Sequence, residues 1–331
     1  MVDVLRSRRL TGLSFQLRPI SEGDAEYIVN LRSTDSKKQK YLNPISADVD
    51  AQRVWLRKQS QNDGDYYFLV QDRFTQKNVG LIGLYDIEEG RAEWGRWIIE
   101  DGSLAAIESV NLLMAFGFNE LNLSEIYCRT VAENVSVVKF HDGYAQRRST
   151  SQPSKVELRG ETFELIEHVL TKEEYLGQTV SKWDTFCQNI FNRRLKSELG
   201  LFEFHHIGIA AKSIEAAAAG YRLLGYSNEA RFTDPEQGVH GLFMTARSQP
   251  RIEILENMEG SGTLDSWLSH SVAPYHFAYH VEDIQAAMST MARLGIRPIT
   301  PVKQSVFFQT PIVFMVMPNR FIVELIETST R

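Results

Sequence analysis

Two stretches decide the fold: HIGIAAKSIEAAAAGYRLLGY (206–226) and HFAYHVEDIQAAMSTMARLGI (276–296). They are one pattern written twice. His206 and His276, Leu224 and Leu294, and Gly225 and Gly295 are each 70 residues apart. Each copy closes on a near-identical apolar run, IEILE at 252–256 and VELIE at 323–327, which sets Glu253 and Glu324 71 residues apart. An internal repeat fixes architecture before any single residue does. Each half reads strand, helix, three strands, so His206, Glu253, His276 and Glu324 fall at equivalent points of two related halves. Two imidazoles and two carboxylates form a donor set for a divalent cation. The two-fold relation gives them a reason to converge.

The chain is long enough for more than the repeat: 331 residues suit about two domains. A hydrophobic content of 43% and a charged content of 24% are those of a soluble globular protein. The net charge of −6 disfavours a nucleic-acid partner, which would select a basic surface. Cys128 and Cys187 are the only cysteines, too few for a disulfide framework or a thiolate zinc motif, so a cytoplasmic location is expected. The opening MVDVLRSRRLTGLSF has no apolar core of signal-peptide length. No run approaches the roughly 18 apolar residues of a membrane span.

Before the repeat, LSFQLRPI (13–20) alternates as a strand, and Ser21 with Asp24 begins a helix in the manner of a capping box. A second helical piece covers 51–61. YYFLVQD (66–72), VGLIGLYDI (79–87) and RAEWGRWII (91–99) read as an antiparallel meander. Apolar residues then fall at helical spacing from Ser103 to Leu121. SEIYCRTV (124–131) is a strand, VSVVKFHDG (135–143) a short helix, QRRSTSQPSK (146–155) a polar connection, and FELIEHVLT (163–171) a strand. A long helical pattern over 173–200 links this part to the repeat. The expected division is therefore 1–172, a helical linker 173–200, and 201–331. The fold class is α+β: a mixed sheet flanked by helices, then a paired βαβββ domain.

The order of elements in 13–172 resembles the GNAT acyltransferase superfamily. LRPISEGDAEYI is similar to its opening strand and helix, and RAEWGRWII to its fourth strand. SLAAIES (103–109) stands where many relatives carry G-x-G-x-x-E-A, with Glu108 as the acid, and ENVSVVKFHDGY (133–144) resembles E-N-x-x-x-x-x-F-H-x-x-x-G-F. The nearest flavour is the branch that acetylates nucleotide-activated amino sugars. The resemblance implies acetyl-CoA or another acyl-CoA as cofactor, held by Ile98 and Ile99 along the strand, by Ser103, Leu104, Ala105 and Ala106 at the helix start, and by Asn134. Backbone N–H groups at a helix N-terminus suit a pyrophosphate. Ser103 and Ala105 replace glycine there, which restricts close approach. Relatives place a tyrosine seven residues after the Asn; that position is His141 here, an imidazole able to protonate a thiolate or relay a proton. Glu93 is the candidate base for the attacking amine.

The paired βαβββ unit at 204–328 resembles the vicinal oxygen chelate superfamily, which includes glyoxalase I and methylmalonyl-CoA epimerase. That resemblance carries metal ligation onto His206, Glu253, His276 and Glu324, with Zn, Ni, Co and Mn not distinguished. It also implies proton abstraction beside a metal-polarised carbonyl, with Glu324 or Glu253 as base. DPEQGVHG (234–241) is most similar to the epimerase branch, yet the extra glutamate of those enzymes falls near Gly241. His205, Tyr275 and His280 are set aside. Strand alternation turns His205 away from the side that His206 faces.

The expectation is a bifunctional enzyme: an acyl-CoA-dependent N-acyltransferase acting on a small amine, an amino sugar or nucleotide-amino-sugar, joined to a metal-dependent epimerase or isomerase. The alternative is a single acyltransferase with a C-terminal binding or dimerisation module. A second copy of the chain is a candidate partner.

Overall fold

The computed structural model describes residues 5, 7–33, 40–149, 154–268 and 272–328. The chain forms two compact units, Met1–Asn192 and Arg193–Arg331.

The first unit contains β1 (Leu10–Thr11), β2 (Phe15–Pro19), α1 (Ala25–Ser33), α2 (Val49–Gln59), β3 (Tyr66–Asp72), β4 (Asn78–Glu88), β5 (Arg91–Ile99), α3 (Ala105–Ala115), β6 (Glu125–Val131), α4 (Val135–Asp142), β7 (Gln146–Arg147), β8 (Ser154–Leu158) and β9 (Glu161–Thr171). The strands make one mixed sheet in the order β1-β2-β3-β4-β5-β6-β9-β7, with β8 on β9. Ser21 and Asp24 form the expected capping box, the Asp24 carboxylate accepting from Ser21 N at 2.8 Å. The polar connection after α4 is partly strand: β7 and β8 both pair with β9. Sequence alternation was too weak there to signal pairing. A π turn at Tyr175–Thr179 leads into α5 (Val180–Leu199). The division between the units falls inside α5, the helix expected to link them.

Two features of β5 matter for function. Its register with β4 jumps from Leu81↔Ile98 to Gly83↔Gly95, and Arg96 sits at φ 49°, a bulge that bends the strand. Asp65 holds Arg96 through two hydrogen bonds, at 2.6 and 3.0 Å. On its other edge β5 pairs with β6 only through Arg91–Glu93. Beyond Glu93 the two parallel strands part, and Trp94–Ile98 have no strand partner on that edge among the described residues.

The second unit contains β10 (Phe202–Ala211), α6 (Ile214–Leu223), β11 (Ser227–Asp234), β12 (Val239–Thr245), β13 (Ile252–Asn257), β14 (Val272–Val281), α7 (Ile284–Arg293), β15 (Arg297–Pro298), β16 (Lys303–Gln304), β17 (Pro311–Val316) and β18 (Ile322–Glu327). The sheet runs β11-β12-β13-β10-β14-β18-β17-β15, with β16 on β17. β10 and β14 pair antiparallel at its centre, and each has its own half's last strand parallel beside it. The stretch 297–304 holds two short strand pieces rather than one continuous strand. Pro298 and Pro301 remove ladder donors there.

The repeat extends to its caps. Ser213 Oγ accepts from Ala216 N and Asp283 Oδ1 from Ala286 N, opening α6 and α7. Glu256 then accepts from Ile214 N at 2.6 Å, and Glu327 from Ile284 N at 2.9 Å. Gly225 and Gly295 close the helices at φ 88° and 90°, a conformation that favours glycine. Each helix covers one face of its half: Ile214 and Ala218 pack with Ile209 and Ile254, and Ile284 and Met291 with Val323 and Leu325. Strand alternation turns Glu253 and Glu324 to the opposite face.

Candidate metal centre and acyltransferase site

Register brings the four expected donors together. Gly208, two residues after His206, lies opposite both Glu253 and His276; Ala278, two residues after His276, lies opposite both Glu324 and His206. His206 Nε2 is 3.0 Å from His276 Nε2, 3.2 Å from Glu253 Oε2 and 3.5 Å from Glu324 Oε2. His276 Nε2 is 3.6 Å from Glu253 Oε2 and 3.5 Å from Glu324 Oε2. One donor atom from each residue lies within 4.8 Å of every other, and all four side chains are buried. Phe243 and Phe314, in register with Glu253 and Glu324, stand against His206 and His276 at 5.2 and 5.5 Å between centroids.

The electrostatics of this cluster suit a cation. Burial pushes the Glu253 carboxyl up to about 7 and His206 down to about 3, so both lose charge when nothing compensates them. Glu324 Oε2 and His276 Nδ1 are buried without a hydrogen-bond partner. Two imidazoles and two carboxylates, one of them with an orphaned oxygen, are what a borderline divalent ion would satisfy. Gly208 is part of the fit: a Cβ there would lie 2.0 Å from His276 Cε1. Above the donors a cleft is lined by Phe232, Phe307, Phe308 and Phe314, with Asp234 and Ser305 as polar groups. Gly241, where the epimerase-type glutamate would stand, is covered by Phe232, whose Cζ would lie 2.1 Å from a Cβ at that position.

Strand alternation fails at His205. The β10–β14 register shifts between Phe204 and His206, so His205 is a bulge residue. Its Nδ1 lies 2.7 Å from His206 Nδ1, and its ring is 4.4 Å from that of His280. The sequence expectation that turned it away from His206 is corrected by this extra residue. The Phe307–Phe308 pair also escaped the sequence reading, because it sits in a turn without periodicity.

In the first unit, Ile98 and Ile99 lie at the end of β5 where it pairs with β4, beyond its pairing with β6. Ser103 Oγ accepts from Ala105 N at 3.3 Å, and Leu104, Ala105 and Ala106 form the start of α3. Asn134 caps α4 without a side-chain bond to that helix's backbone. Glu108 faces away from this loop. Its Oε1 accepts from Ser14 N at 2.9 Å and Phe15 N at 3.3 Å, which ties α3 to β2. Glu93 is buried and bonded by Arg129, at 3.1 Å from its Nε and more closely from Nη2. Arg129 is two residues past Tyr127, the register partner of Glu93, so β6 parity could have named it. His141 is 2% exposed, packs 5.2 Å from Trp94, and shares a 2.9 Å bond between Nδ1 and Tyr144 Oη. Burial, reinforced by His168, pushes it down to about 3, which keeps the imidazole neutral. Among the described residues no helix is long and apolar enough to cross a membrane.

Residues 205–328 match the family model described as the glyoxalase/bleomycin resistance protein/dioxygenase superfamily, and residues 15–142 that of the acetyltransferase (GNAT) domain. The chain is 34% identical over 96 residues to the ethylmalonyl-CoA/methylmalonyl-CoA epimerase of Cereibacter sphaeroides, covering 28% of this chain and 71% of that protein. It is 26% identical over 187 residues to the uncharacterized N-acetyltransferase p20 of Bacillus licheniformis, 53% of this chain and 100% of that protein. Similar solved structures include apo FdhC, a nucleotide-linked sugar GNAT, at 27% identity and a TM-score of 0.45, covering 53% of this chain and 97% of that one. The spermidine N-acetyltransferase of Vibrio cholerae with CoA and spermine is 21% identical at a TM-score of 0.45, over 50% of this chain and 100% of that one.

Proposed function

Because the chain joins a GNAT acetyltransferase domain to a domain of the glyoxalase/bleomycin resistance protein/dioxygenase superfamily, we propose that it is a bifunctional enzyme. Its first unit transfers an acyl group from acyl-CoA to a small amine. Its second is a metal-dependent proton-transfer catalyst of the epimerase or isomerase class. The observation that carries the second half is the convergence of four buried donors, two from each repeat, within 4.8 Å.

His206, Glu253, His276 and Glu324 would hold the ion. When bound, a divalent cation there supplies Lewis-acid polarisation of a substrate carbonyl or enolate oxygen. The chain's own groups do the rest. Glu324, on brief loss of coordination, would take a proton from the carbon beside that oxygen. Glu253, equivalent across the repeat, would act as the second base that an epimerisation needs. The cleft phenylalanines would exclude water from the site.

In the first unit the reading is supported by the unpaired edge of β5. The outer edge of Trp94–Ile98 would bond a pantetheine arm, while the helix start at Ser103–Ala106 would meet the pyrophosphate. Asn134 adds a side-chain contact. Glu93, already paired with Arg129, accepts the proton lost by the attacking amine, and neutral His141 relays one to the departing thiolate. The amine class is an amino sugar, free or nucleotide-linked, which rests on the similarity of ENVSVVKFHDGY to that branch of the superfamily. Elemental analysis and acetyl-CoA consumption, run on one preparation with and without chelator, test both halves. One divalent ion per chain and chelator-insensitive acyl transfer are expected. A chain without metal after dialysis against Zn, Ni, Co and Mn, or without affinity for acetyl-CoA, sinks the corresponding half.

A further inference from the structure

Behind the four donors the His205 bulge completes a chain of hydrogen bonds. Glu229 accepts from Nε and Nη2 of Arg251, both at 2.8 Å. The remaining Nη1 of Arg251 donates to His205 Nε2 at 2.6 Å. His205 Nδ1 is 2.7 Å from His206 Nδ1, and His206 Nε2 is the atom that points at Glu253 and His276. Tyr275 takes the position equivalent to His205 in the second half, and His276 Nδ1 has no partner. The arrangement therefore acts on one ligand only.

The direction of every bond follows from Arg251, because a guanidinium can only donate. His205 Nε2 must accept, so a neutral His205 carries its hydrogen on Nδ1. That hydrogen goes to His206 Nδ1, which must accept in turn. A neutral His206 then carries its own hydrogen on Nε2, facing Glu253 Oε2 at 3.2 Å. Ligation through Nε2 needs the other tautomer, with the hydrogen on Nδ1 and Nε2 bare.

We infer that Arg251, acting through His205, holds His206 in the tautomer that does not ligate, so that Arg251 and a metal ion compete for opposite ends of one histidine pair. Both are positioning residues. The inference rests on the metal centre proposed above. On loading, the hydrogen between the two Nδ1 atoms passes from His205 to His206. His206 gives its Nε2 hydrogen to water, and His205 Nε2 takes one from water. The pair holds two hydrogens before and after. Arg251 loses only its Nη1 bond, since Nε and Nη2 stay on Glu229.

Nitrogen-15 NMR of the full-length chain, labelled at its 8 histidines, reads the tautomers directly, with His205→Phe used to assign the signals. Expected without metal are His205 as the Nδ1–H form and His206 as the Nε2–H form. Both switch when Zn2+ is added. In chelator competition, Arg251→Met binds Zn2+ several-fold more tightly than the unmodified chain, while His205→Phe binds about 10- to 100-fold more weakly. A merely structural role would weaken binding in both variants. A metal-free His206 already in the Nδ1–H form, or Arg251→Met binding no more tightly, overturns the inference. Arg251 also lies 4.0 Å over the Phe243 ring; should its variant misfold, the tautomers of the unmodified chain decide. No Zn2+ uptake by the unmodified chain defeats the metal centre itself, and the metal-free tautomers still test the part played by Arg251.

Discussion

Gly208→Ala removes no donor and should still empty the metal centre. Gly208 lies outside the left-handed region, so alanine fits its backbone. Its Cβ would fall 2.0 Å from His276 Cε1, 2.2 Å from Nδ1 and 2.5 Å from Nε2. Ordinary carbon contacts begin near 3.5 Å, so the imidazole must retreat by about 1.5 Å. Metal–ligand distances tolerate only ~0.2 Å, and His276 is lost as a ligand. A four-ligand zinc site is worth about 10–16 kcal/mol, so one ligand in four is about 3 kcal/mol, or roughly 100-fold in Kd. Competition for Zn2+ against a chromophoric chelator measures the change, with circular dichroism to confirm the fold. Ala278→Gly, at the mirrored position, removes a Cβ and should keep its metal. Gly208→Ala that folds normally and binds Zn2+ within about threefold of the parent would refute the geometric argument.

Three further outcomes follow from particular contacts. Glu256→Ala and Glu327→Ala each remove an acceptor at a helix start, and should cost about 1 kcal/mol in urea unfolding with metal content unchanged. Glu108→Ala strips Ser14 N and Phe15 N of their buried acceptor and should cost about 2–3 kcal/mol, yet leave acetyl-CoA affinity by calorimetry unaltered. His141 sits at about 3 when folded, below its ordinary 6.5, so the unfolded chain binds that proton first. Its contribution to stability is complete above about pH 6.5 and is lost as pH falls toward 3. At pH 4.5 the loss is about 2–3 kcal/mol, and His141→Gln should remove that part of the slope.

The second unit was legible because it is repeated. Equal offsets found both halves and paired each His with its Glu, and the same offset explains why Glu256 and Glu327 share a role. Local pattern could not say that Glu253 faces the donors while Glu256 caps a helix; strand parity and register decide that. The bulge at His205 broke the very alternation that had turned that residue away. In the first unit, the succession of strands and helices was readable from periodicity, whereas β8 lay hidden in a polar stretch. The role of Glu108 could not be read locally, because its donor partners are backbone N–H groups 93 and 94 residues away, which no local motif records. The parting of β5 from β6 after Glu93 was equally invisible, since residue type does not record where two strands stop pairing.

The central claim, that two repeats build one metal centre, is tested most directly by anomalous diffraction at the metal edge from crystals grown with Zn2+ or Ni2+. The account predicts one peak in the second unit, about 2.0–2.2 Å from nitrogen of His206 and His276 and from an oxygen of Glu253 and Glu324. Well-ordered crystals with no peak among these four side chains would contradict it.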